Sequence, residues 1–116
     1  MKLVLKTKDK TIGVVRNPFH KAIVDYYQGL NYIGFDSWIH KSMPPQQVSL
    51  YKNCDYIIRF EQWKSDLKDL NLVPEDTSIL EGVKEIDGWR NWYTLHTRTT
   101  IGVLYKDDII TYGYSY

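Results

Sequence analysis

The chain has 116 residues and a single cysteine, Cys54. That rules out an internal disulfide and a cysteine-based metal cluster, and it fits a reducing compartment. No apolar run approaches the roughly 18 residues of a membrane-spanning helix, and no signal-peptide pattern is present. These absences predict a soluble, cytoplasmic protein. Neither charge sign dominates: 15 basic residues face 14 acidic ones, for a net charge of +1. No global field therefore favours nucleic acid or an anionic membrane, and any anion site must be local. Glycine is sparse, and no Gly-rich phosphate loop is found. Gly29 and Gly34 have the G-x-x-x-x-G spacing, but Phe35-Asp36 follow where such a loop needs Lys-Ser/Thr. His20, His40 and His96 are scattered, with no H-E-x-x-H, so no metal site is expected. No serine lies in a G-x-S-x-G setting. Cys54 precedes an apolar run, and a small buried role is expected for it.

Aromatic residues, by contrast, are abundant, with four Trp and ten Tyr. Such residues serve cores, sugar platforms and interfaces alike. The length predicts one domain, residues 1–116, with one modest core. Residues 2–7 read as a strand, and Thr11–Val15 as a second, with Lys8-Asp9-Lys10 between them. A hairpin there would lack the Asn-Gly or Asp-Gly signal. Pro18 suits a first helical turn. Phe19, Ala22, Ile23, Tyr26, Tyr27 and Leu30 recur at helical spacing, and Gly29 lies near that helix's end.

Farther on, Phe35–His40 read as a short helical turn and Pro44-Pro45 as an irregular loop. Tyr56–Phe60 read as a buried strand and Glu61–Leu70 as an amphipathic helix, with a polar loop from Pro74. Gly82–Ile86 read as a short strand, Tyr93–Leu104 as a helix, and Lys106–Tyr116 as a Tyr-rich tail that packs back. Strands alternating with helices predict an α/β fold. The expected architecture is a small, mostly parallel sheet of about three or four strands flanked by helices in layers.

The stretch Thr11–Tyr27 carries the strongest functional signal. A buried strand ends in Arg16-Asn17-Pro18, and a helix follows at once. In open α/β sheets, ligands bind at the carboxyl ends of strands. Arg16 would stand at that point, always charged and able to grip a phosphate bidentately. The alternative is a structural Arg16 paired with Asp25 or Glu61. Arg59 ends the other buried strand and invites the same two readings. If the strands are parallel neighbours, Arg16 and Arg59 emerge at one edge of the sheet. Lys21 adds charge one turn into the first helix, and Arg90 lies within the aromatic run Trp89–Tyr93. These four residues, Arg16, Arg59, Lys21 and Arg90, are the candidate anion or cofactor ligands.

Several of these stretches resemble one enzyme family. Val14–Phe19 followed by Tyr26-Tyr27 is similar to the VRNP(F/Y)…S-x-Y segment of sulfotransferases, in the carbohydrate and membrane-type branch. Phe35–Ile39, Pro45-Gln46, Asp55–Trp63 with Asp66, Trp92-Tyr93 and Leu104–Tyr114 match further family segments in order. The resemblance spans residues 11–116. It implies a truncated P-loop-type fold and 3′-phosphoadenosine 5′-phosphosulfate as cofactor, with Arg16 on its 3′-phosphate. Two departures accompany it. The fifteen residues before Arg16 contain no phosphate loop, whose helix in that branch also carries the usual catalytic base. The family's serine eight residues after the arginine is here Val24. The resemblance therefore implies a divergent or truncated sulfotransferase-like protein, not catalytic alone, that binds a nucleotide, phosphate or sulfate. The alternatives are a non-enzymatic interaction module, a homo-oligomer covering the sheet edge, and one subunit of a split sulfotransferase. Carbohydrate binding by Trp38, Trp63, Trp89 and Trp92 is a further reading.

Overall fold

The computed structural model describes residues 2–29, 33–41 and 43–116. The described chain forms a small α/β protein that divides into two compact units. One joins Met1–Arg16 to Gln47–Val83, and the other joins Asn17–Gln46 to Lys84–Tyr116.

The first unit is built on a three-stranded sheet with the order β1-β2-β3. Strands β1 (Val4–Thr7) and β2 (Lys10–Val15) form a hairpin, with Thr7 opposite Lys10. The turn lacks glycine and asparagine. Lys8 takes the left-handed conformation instead, at φ 53°, at a cost of about 1–2 kcal/mol. Strand β3 (Tyr56–Arg59) runs parallel to β2, from Ile12 opposite Tyr56 to Val15 opposite Arg59. The sheet is thus mixed, with one antiparallel and one parallel pair, and not mostly parallel as the alternation of elements predicts. The reason is connection length. A two-residue link can only fold a strand back antiparallel, whereas a parallel neighbour needs a long crossover.

One pleat face carries Leu3, Leu5, Ile12, Val14 and Ile58. It packs on Leu67 of the helix α4 (Trp63–Asp69) and Leu80 of the short helix α5 (Ser78–Glu81). Each fully buried aliphatic side chain stabilises such a core by about 1.5–3 kcal/mol. A 3-10 turn, Phe60–Gln62, connects β3 to α4. At the start of β3, the Asp55 carboxylate accepts the Thr11 N–H at 2.8 Å and the Thr11 hydroxyl at 3.2 Å. The backbone hydrogen bond, more than any other cause, holds that carboxyl below its ordinary value.

The second unit is helical. Helix α1 (Pro18–Gln28) starts as its sequence predicts, with Pro18 in the first turn and the Asn17 side chain accepting the Phe19 N–H at 3.0 Å. Phe19, Ala22 and Ile23 face the core, Tyr27 is exposed, and Gly29 caps the end. Leu30, the last residue of that periodic series, lies outside the described residues. Helix α2 (Phe35–Lys41) buries Phe35, Trp38 and Ile39. Helix α6 (Leu95–Leu104) opens with a capping box in which Thr94 and Thr97 exchange hydrogen bonds. Its other threonines turn their hydroxyls back to the helix, Thr99 to the Leu95 carbonyl and Thr100 to that of His96. The tail forms helix α7 (Lys106–Tyr112), capped by Gly113 at φ 71°. Tyr116 returns to the core, edge-on to Phe19, Trp89 and Tyr93 at centroid distances of 5.3–5.6 Å.

The strand expected over Gly82–Ile86 does not form. Gly82 caps α5. Val83 packs on the aliphatic core of the first unit and Ile86 on the aromatic core of the second. The Ile86 N–H is taken by His20 Nε2 at 3.0 Å rather than by a strand. The apolar spacing there records attachment to two cores, not a pleat. Among the described residues, no helix is long and apolar enough to cross a membrane.

Candidate functional site

Arg16 follows directly on β2, at the carboxyl end of the central strand. Its position is set by Gln47, the first residue of the short helix α3 (Gln47–Leu50). The Gln47 side chain is 1% exposed. Its Oε1 accepts the Arg16 N–H at 2.8 Å, and its Nε2 donates to the Arg16 carbonyl at 2.7 Å. One buried amide thus brackets Arg16 as a neighbouring strand would, meeting two backbone groups that burial would otherwise make costly. The guanidinium lies over the Phe60 ring, with Cζ 5.2 Å from the centroid. Arg16 itself is 6% exposed.

Arg59 ends β3, so the parallel pairing brings it to the same end of the sheet as Arg16. The pleat separates the two side chains, however. Val15 and Arg59 are register partners, and side chains alternate along a strand. Arg16, one residue past Val15, therefore points to the opposite face. Arg59 instead leans on Asp66 of α4. Its N–H donates to Asp66 Oδ2 at 2.8 Å, and its Nε lies 4.0 Å from the same oxygen. A shallow depression of about 240 Å³ near there is lined by Ile57, Asp66, Asp69 and Leu70. Its two carboxylates repel an anion. Of the candidates in the first unit, Arg16 is the better placed.

Lys21 and Arg90 belong to the second unit. Lys21 Nζ is 2.6 Å from Asp25 Oδ2, one turn along α1, and the pair is largely buried. That cation already has its counter-ion. Arg90, in the 3-10 turn Trp89–Trp92, stacks on Trp89 with Cζ 4.3 Å from the ring centroid. Its Nη2 is 3.5 Å from the Tyr116 carbonyl. Arg98 lies 4.1 Å from the centroid of the Tyr116 ring, a cation–π contact that sequence inspection did not anticipate. Val24, where the family resemblance expects a serine, is 2% exposed and has no hydroxyl to offer a phosphate. Of the four tryptophans, Trp38 and Trp89 are buried, Trp63 packs against the aliphatic core, and Trp92 is 42% exposed, edge-on to Tyr27. No flat multi-tryptophan platform is presented by the described residues.

No family model, curated protein or solved structure matches this chain. The functional reading therefore rests on the chain's own chemistry.

One constellation in the second unit was not visible in the sequence. Asp36 and His40 are one turn apart on α2, and His96 is near the start of α6. Asp36 Oδ1 lies 3.8 Å from His40 Nε2 and 3.5 Å from His96 Nε2. The two imidazole centroids are 5.9 Å apart. All three side chains are exposed. The Asp36/His40 spacing was legible once Phe35–His40 read as helical. Nothing in the sequence placed His96 beside them. His20, the third histidine, is committed elsewhere. It stacks on Trp89 at 5.5 Å and accepts the Ile86 N–H.

Proposed function

We propose that this chain is a divergent sulfotransferase-like domain. In this reading it binds a phosphate- or sulfate-bearing nucleotide through Arg16 and does not transfer a sulfuryl group by itself. The observation that carries the reading is the bracketing of Arg16 by buried Gln47 at the carboxyl end of the central strand. Gln47 fixes the backbone of Arg16 and the Phe60 ring lies under its guanidinium, so little side-chain entropy is lost on binding. The resemblance of Val14–Phe19, Asp55–Trp63 and Leu104–Tyr114 to sulfotransferase segments supplies the ligand class, with adenosine 3′,5′-bisphosphate as the simplest member.

Sulfuryl transfer needs donors for the charge on the bridging oxygen and a base for the acceptor hydroxyl. Arg16 provides a binding charge and neither of those functions. A phosphate loop from a second, different chain would complete the reaction in the split-enzyme form of the proposal.

Calorimetry with adenosine 3′,5′-bisphosphate tests it. The native chain is expected to bind, and Arg16→Lys, which keeps the charge but loses the bidentate fork, to weaken binding about tenfold or more. Circular dichroism of the variant checks that it is folded. Absence of binding by the native chain, or equal binding by the variant, refutes the reading. Light scattering on the same samples reads the expected self-association.

A further inference from the structure

Asp36, His40 and His96 converge from two helices of the second unit. Charge-assisted hydrogen bonds between nitrogen and carboxylate close to about 2.7–2.9 Å. Here the Nε2–Oδ1 distances are 3.8 and 3.5 Å, and all three side chains are exposed. The donor atoms of the three residues all lie within 4.8 Å of one another. A tetrahedral ion with ligands at about 2.0–2.1 Å needs its donor atoms about 3.4 Å apart. The two distances to Asp36, 3.8 and 3.5 Å, come close to that requirement, and rotations of the exposed side chains would bring the three donors into place.

We propose that Asp36, His40 and His96 form a binding site for a divalent first-row transition cation, with zinc as its ion. Two imidazoles and one carboxylate suit zinc, and three protein ligands leave a fourth position for water. The scaffold favours the geometry. Asp36 and His40 stand on one face of α2, which is anchored by buried Trp38 and Ile39. His96 is in the first turn of α6, fixed by the Thr94/Thr97 capping box. Phe35, Trp38 and Ile39 of α2 share one apolar cluster with Ile101 of α6. The ion would thus clip together two helices whose backbones are already held, at small entropic cost. It would also join residues 60 positions apart in the chain, and binding to the folded form alone raises stability.

The test uses the full chain without a histidine tag. Isothermal titration with zinc chloride is expected to give one site per chain. Metal binding displaces protons from its ligands, so binding should weaken in acid. Cobalt should give the visible absorption of a tetrahedral ion. Asp36→Ala, His40→Ala and His96→Ala are surface changes that leave the core intact. Each is expected to weaken zinc binding by more than the about 10–100-fold typical of losing a ligand's outer partner. Each should also abolish the zinc-dependent rise in melting temperature. The proposal is overturned if the native chain binds no zinc, or if any one of the three variants binds as tightly as the native chain.

Discussion

Gln47 is the residue on which the placement of Arg16 depends. Its buried amide meets one backbone donor and one acceptor, at 2.8 and 2.7 Å. Gln47→Ala would leave both of those groups without this partner in a dry environment. Each such loss costs about 1–3 kcal/mol, so the variant should lose about 2–4 kcal/mol in urea unfolding. A loss under 0.5 kcal/mol, roughly the range of surface substitutions, would show that water replaces the amide freely. Gln47 was not legible in the sequence. A glutamine after Pro-Pro-Gln looks like loop, and its buried amide meets the backbone of Arg16, 31 positions earlier. Arg16, in contrast, was legible, because an apolar run followed by Arg-Asn-Pro is a local signal.

Among the elements, β2 is the best determined and the most constrained. Its Gly13 is a site of close approach: a Cβ built there would lie 2.7 Å from Tyr51 Cδ1 and 3.0 Å from Ile57 Cδ1. The Tyr51 ring cannot swing aside freely, since its hydroxyl accepts the Leu3 N–H at 2.7 Å. Gly13→Ala should therefore destabilise the protein by about 1–3 kcal/mol through overpacking. In a Tyr51→Ala background the same change should cost much less, and that coupling, read by a double-mutant cycle in denaturant, is the check. Additive costs would mean that the ring is not the obstacle. The existence of β1, β2, β3, α1, α2, α4 and α6 was legible from hydrophobic period and from Pro18 and Gly29 at the ends of α1. The short elements α3, α5 and the turn Trp89–Trp92 were not, nor was α7, which read only as a Tyr-rich tail. The first three are one turn long, and one turn carries no period to read.

For the whole molecule, the division into an aliphatic and an aromatic core has a chemical consequence. The aromatic core includes Tyr93 and Tyr105, whose hydroxyls donate to the carbonyls of Phe19 at 2.6 Å and Pro44 at 2.5 Å. Burial chiefly, with neighbouring Tyr116 and Tyr105 for Tyr93 and Asp25 and Asp108 for Tyr105, pushes both well above the ordinary tyrosine value of 10.0. Both phenols are raised in the folded state, so the stability they contribute is present below 10.0 and is lost as pH climbs above it. Melting temperature should fall steeply on that alkaline side, with the tyrosine absorbance change coinciding with unfolding. Ionisation of all ten tyrosines in a chain that stays folded would contradict this account.

The sequence by itself determined the α/β class, the positions of the longer strands and helices, and the location of Arg16 and Arg59 at strand ends. These follow from periodicity and end signals, which act over a few residues. Only the tertiary structure decided the mixed sheet, the opposite faces taken by Arg16 and Arg59, the capture of Lys21 by Asp25, and the meeting of Asp36 and His40 with His96. The pleat and the packing of distant segments set those outcomes. Periodicity records that a residue faces inward or outward; it does not record which distant residue it will face.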